Sequence, residues 1–398
     1  MRRAPKGQKD SASWDSRVCG HWLGVLGLGT PPLLIHRRPC GCLTPTLFRH
    51  EVQPPDFENY LHSKKREQME LKMPTAEQAH WGLRAMKTVA MADGALDDAE
   101  RQMLTSVQMI LGTHYTVEDL APITPEELAS GLSDRQVRYQ LVQGLIVVSL
   151  IDGNANRHET EAVEQFARAL EVDAPEVRDL RYLLNGEMLR LRLDLARRFW
   201  LREKVKEVWN NEGVRGIFKF VRGMLGRYED AALASRYQAL EHYPAGSLGR
   251  SYWEYCRKNG FPLPGEKGGA AEQVLFHDCA HVLSGYGTTP DEEVQVACFS
   301  AGFQRRDPWA FVFFVLLQFH VGIRVTPITG ARTGFFDPVK AMIAIRRGAA
   351  MTVDLNSGWD YWPVMGAQVD ELRRRYNILP ADAFFTVRPP NQLAGSTA

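Results

Sequence analysis

The chain has 398 residues, 44% hydrophobic and 24% charged, with 48 basic side chains against 47 acidic ones and a formal net charge of +1. That length provides for two or three domains with a sizeable core, and the near-neutral balance argues against nucleic acid as a partner held by bulk charge. Six scattered cysteines (Cys19, Cys40, Cys42, Cys256, Cys279 and Cys298) show no paired metal spacing, which argues against a disulfide framework and fits a reducing, cytoplasmic compartment.

Residues 1–72 differ from the rest. The first fifty carry eight Arg or Lys against two Asp, with scattered Pro and Gly and no sustained periodicity. This composition predicts disorder; the basic, acid-poor stretch suits a transit peptide, and a gene start set too far upstream of a true start near Met69 or Met73 suits it better. The apolar run that begins at Trp22 lacks a clean signal-cleavage site.

A first helical domain is expected over 73–173, built on an internal repeat. Ala92-Asp93-Gly94 through Glu100 matches Ile151-Asp152-Gly153 through Glu159, and each copy reads helix, Asp-Gly turn, helix. Asp97 with Glu100, and Asn156 with Glu159, have capping-box spacing, while Gly94 and Gly153 are expected as helix C-caps. Asp93 and Asp152 are then left for structural turns or a second, acidic cation site, although the spacing is not that of a complete EF-hand loop. The stretch resembles the tellurite-resistance B (TerB) family of helical domains, whose two pseudo-repeats carry an Asp-Gly turn followed by Glu. The resemblance implies metal binding and a link to membrane-associated stress systems, with Asp93 and Asp152 as the acidic positions.

A basic helical connector is expected over 174–243. Arg190, Arg192, Arg197, Arg198, Arg202, Lys204 and Lys206 are interleaved with Leu, Phe199 and Trp200, and Phe218, Lys219, Phe220, Val221 and Arg222 follow. A basic amphipathic helix with aromatics suits an anionic membrane surface, and a solvated helix packed on one side gives the same pattern. The run Trp309 to Ile323 is about a turn too short to span a bilayer and contains Gln318 and His320, so it reads as a buried core helix.

The second helical domain is expected over 244–380, followed by a flexible tail over 381–398. Its centre is Phe276-His277-Asp278-Cys279-Ala280-His281 with Glu293 beyond a Gly-containing turn. Histidines at i and i+4 share a helix face, and Asp278 lies three residues before His281. Thr289-Pro290-Asp291-Glu292 reads as a new helix start in which Glu292 caps, leaving Glu293 as a ligand aimed back at the histidines. His277, Asp278, His281 and Glu293 are therefore the expected ligands for zinc or another divalent metal. Cys279 is expected to be a packing residue.

Gly246-Ser-Leu-Gly-Arg250-Ser-Tyr-Trp253, Asn259-Gly260, the HDxxH motif with Glu293, and the closing Trp359-Asp-Tyr-Trp362 through Tyr376 resemble the fourth-protein family of coenzyme Q (ubiquinone) biosynthesis. The resemblance implies an all-α, membrane-peripheral protein at the inner membrane that accommodates polyprenyl chains, with His277, Asp278, His281 and Glu293 as its metal site. It further implies a role in oxidative ring decarboxylation or as a scaffold of the quinone-biosynthesis complex. The segment between Gly260 and His277 is short and Gly-rich here, where that family has a longer acidic connection. A groove along Phe311, Phe313 and Phe314 would take the prenyl tail, and self-association is expected.

Three functions follow: a metal-dependent enzyme on a prenylated quinone precursor or related lipid, a non-catalytic lipid-binding scaffold with a structural metal, and an HD-type phosphohydrolase. A closed four-ligand shell favours the scaffold, and an open coordination position favours chemistry. Taken together, the fold class expected is all-α: two helical domains joined by the connector.

Overall fold

The structure is a computed structural model that describes residues 71–198, 216, 229–305, 308–325 and 330–384. Among these residues the protein is all-α, with fourteen α-helices and no strand. In the first half these are α1 (Ala76–Ala90), α2 (Asp98–Leu111), α3 (Pro125–Gly131), α4 (Arg135–Val148), α5 (Arg157–Ala169), α6 (Pro175–Leu184) and α7 (Met188–Arg198). The second half contributes α8 (Ala231–Gln238), α9 (Leu248–Asn259), α10 (Leu275–Ser284), α11 (Pro290–Phe303), α12 (Trp309–Phe319), α13 (Pro338–Ala349) and α14 (Val369–Arg375).

Local chemistry sets the helix starts. Thr75 and Gln78 form a capping box on α1, Asp97 and Glu100 another on α2, and Asp134 accepts from Gln136 and Val137 at the head of α4. In the two repeat turns Asp93 accepts the Ala95 N–H at 3.3 Å and Asp152 the Asn154 N–H at 2.8 Å. Both aspartates are thus occupied in Asx-turns. The helices before these turns end at Ala90 and Val148, earlier than the expected glycine caps. Gly94 and Gly153 instead sit at φ 105° and 88° inside the turns, where a side chain would be strained.

The repeats are not equivalent. Asn156 caps α5 by accepting from His158, and its amide donates to Asp93 at 3.2 Å, linking the two turns. Glu159 makes no capping box; it turns inward against Glu100, and both are buried. The expected second capping box is therefore replaced by a buried pair of carboxyl groups.

In the basic segment, Arg198 is buried against Glu176 and Asp179 of α6, with Asp194 at 3.0 Å. Arg192 donates to the Arg324 carbonyl at 2.8 Å, and Arg190 pairs with Glu187. These arginines serve the fold, while Leu189 and Leu193 are exposed. Phe199, Trp200, Arg202, Lys204, Lys206, Phe218, Lys219, Phe220, Val221 and Arg222 lie outside the described residues, as do 1–70 and 385–398.

One apolar cluster runs through the described chain from Leu83 to Ile378. Its centre is α12, whose eleven residues are all buried because the helix is apolar around its whole circumference. Phe311, Phe313 and Phe314 are 6%, 2% and 2% exposed, so they fill the core instead of lining a lipid groove. No helix among the described residues is long and apolar enough to cross a membrane. Helices α11 and α13 pack backbone to backbone, since a Cβ on Gly302 or Gly348 would overlap main-chain atoms of the other helix.

Candidate metal centre

The HDxxH segment forms α10, which ends at Gly285 in the left-handed conformation, φ 81°. Its last carbonyls are held by two arginines from later helices. Arg373 donates to Leu283 at 2.9 Å and Val282 at 3.2 Å, and the buried Arg347 donates to Ser284 at 2.9 Å. These bonds satisfy the orphan acceptors of the helix end and place cations at its negative pole. The facing helix α11 begins as expected: Glu292 accepts from the Thr289 N–H at 3.1 Å and from its hydroxyl at 2.6 Å. Glu293, the next residue, is directed inward and is 2% exposed.

His277, His281 and Glu293 converge, with their ligating atoms within 4.8 Å of one another. The two Nε2 atoms are 3.2 Å apart, and each faces one Glu293 oxygen at 3.6 Å. An ion with tetrahedral bonds of about 2.0–2.1 Å holds neighbouring ligand atoms about 3.3 Å apart, so the three side chains are spaced to close on a first-row divalent metal.

The histidine tautomer also fits. A carbonyl only accepts, so the contact between His281 Nδ1 and the Tyr286 carbonyl at 3.2 Å makes Nδ1 the protonated nitrogen and leaves the Nε2 lone pair facing the site. Metal-bound histidines are oriented by this kind of bond. Tyr255 stacks on the face of the ring, centroids 5.3 Å apart. Burial lowers the His281 pKa to about 4, with His277 adding to the effect and Glu293 opposing it, so the imidazole is neutral at physiological pH. At His277 burial also acts downward, but the Glu293 carboxylate outweighs it and raises the pKa above the usual histidine value.

Asp278 does not join this group. Adjacent helical residues diverge by about 100°, whereas positions four apart diverge by only about 40°. The ring of His277 and the carboxyl of Asp278 therefore leave the helix in different directions. Asp278 is buried, its charge is felt by Tyr252 and Cys256 of α9, and burial pushes its carboxyl up to about 7. The four-ligand expectation is thus reduced to three protein ligands. Cys279 is fully buried, as a packing residue should be. Asp93 and Asp152 belong to no metal-capable group among the described residues; the Asx-turns use them.

Tyr286, Tyr255, Arg347 and Arg373 complete the site and were not singled out in the sequence. Tyr286 acts through its carbonyl, which leaves no side-chain signal, and the other three arrive from distant helices. No protein-family model matches the chain, and no curated protein or solved structure matches it either.

Proposed function

We propose that the chain binds zinc or iron(II) through His277, His281 and Glu293 and acts as a metal-dependent enzyme on a prenylated quinone precursor or a related lipid. The observation that carries this reading is a ligand set of two histidines and one carboxylate in place of four protein ligands. Such a set leaves coordination positions for water or substrate, and it is the donor set of both catalytic zinc and non-haem iron sites. When bound, the metal supplies a Lewis-acid position for a ring carboxylate or carbonyl. Tyr286 and Tyr255 orient His281, and the Arg347 and Arg373 bonds fix the helix end that carries it. The His277 side chain, 10% exposed against 0% for His281 and 3% for Glu293, marks the side from which a substrate would approach. The substrate class rests on the resemblance of the C-terminal region to the ubiquinone-pathway family, as does a place at the inner membrane surface.

Quinone profiling of a deletion strain tests this. Accumulation of a prenylated ring precursor, restored to normal by the parent chain but not by His281→Ala, is expected. Normal quinones without an accumulated precursor would remove the ubiquinone reading.

The depth of burial favours a second reading, a scaffold in which the metal only pins α10 to α11. A folded, metal-free His281→Ala chain that fully complements the deletion would favour that scaffold. An HD-type phosphohydrolase is supported least, because such a site uses an adjacent His–Asp pair and Asp278 stands apart from His277.

A further inference from the structure

A cavity of about 180 Å³ lies between α1, α2 and α4 of the first half and α13 of the second, and it shares no residue with the metal group. Its walls are almost wholly apolar, supplied by side chains such as Leu83, Met103, Val107 and Ile345. Two features distinguish it from a packing defect.

First, two of its lining residues, Gly82 and Gly144, sit in the interiors of α1 and α4. Glycine is the poorest helix former after proline, so its use there calls for a reason. At Gly302 and Gly348 the reason is close backbone contact. At Gly144 a Cβ would meet only Met86 Cε at 4.0 Å, and at Gly82 only Leu141 Cδ1 at 3.4 Å, so packing demands neither. What the missing side chains leave is the cavity itself.

Second, the lining includes two cations in different states. Lys72 is paired with Asp134, whereas Arg346, half-buried on α13, has no carboxylate partner among the described residues.

We propose that this cavity binds a single-chain carboxylate amphiphile, its chain lying beside Gly82 and Gly144 and its carboxylate at Arg346. A dry apolar cavity of roughly 150 Å³ accepts a benzene molecule, so the space here holds about seven or eight carbons, with the rest of the chain at the open side. An aliphatic tail meets the apolar wall, and a guanidinium without an acid partner among the described residues complements a carboxylate.

The test is calorimetric titration of the full chain with octanoate, dodecanoate and hexadecanoate, with dodecanol as the uncharged control. Saturable one-site binding of dodecanoate is expected, at least tenfold tighter than dodecanol. Gly144→Leu, which fills the cavity, should abolish binding while circular dichroism shows the helices intact. Arg346→Gln should bring dodecanoate down to the affinity of dodecanol. Absence of saturable binding by the parent chain, or unchanged binding in Gly144→Leu, overturns the proposal. Should Gly144→Leu fail to fold, Arg346→Gln decides: an unchanged preference for dodecanoate over dodecanol overturns it.

Discussion

Glu159 occupies the position that Glu100 uses in the first repeat to cap its own helix, yet it faces Glu100 across a buried contact instead. Burial first, and then the neighbouring Glu100, push its carboxyl up to about 9 from an ordinary value of 4.5. Between those values the folded chain holds a proton that the unfolded chain has released. Stability from this group is therefore fully present below about pH 4.5 and declines as pH rises toward 9. Glu159→Gln keeps the shape and removes the ionisation. Its Tm at about pH 8 is expected to exceed the parent's by about 3 °C, with near parity at about pH 5; thermal melts across that range check this. Identical pH profiles in the two proteins would contradict a buried proton here. The capping spacing of both repeats was legible in sequence, but the inward turn of Glu159 was not, since it depends on a carboxyl brought from the other repeat by folding. The same holds for Asp278: a spacing of three before His281 is a neighbour relation along the helix, while the shared direction belongs to His277 and His281.

Helices α11 and α13 carry the tightest contact that concerns the site, because α11 holds Glu293 and α13 holds Arg347. Their approach depends on Gly302 and Gly348, each of which faces backbone where a Cβ would stand. Gly348→Ala is expected to cost about 3 kcal/mol by overpacking, read from the midpoint of urea unfolding, and its metal affinity should fall as α11 shifts. Unchanged stability would show that the two helices separate without strain. The ends of α10 and the start of α11 were readable from Gly285 and the Thr-Pro-Asp-Glu cap, since both are local chemistry. The arginines that hold α10's last carbonyls were not, because a basic residue three or four helices away has no spacing to betray it. The apolar run of α12 gave away its burial, but its phenylalanines could be placed in the core, and not in a groove, only once all its faces were seen to be packed.

Across the whole molecule, α13 touches α2 of the repeat half and α11 of the metal half, and a single apolar cluster extends through both. Nothing in the spacing of either half announces that contact. Because metal bound to three buried ligands stabilises only the folded chain, a ligand at a thousandfold excess over its Kd adds about 4 kcal/mol, which corresponds to a Tm about 8 °C higher than after chelation. A chelator that leaves Tm unchanged would separate the triad from stability altogether. The most direct measurement is the metal content of the purified full chain and its variants by elemental mass spectrometry. One zinc or iron per chain is expected in the parent and in Asp278→Asn, and none in His277→Ala, His281→Ala or Glu293→Ala. A metal-free parent, or metal retained after loss of both histidines, would contradict the three-ligand site.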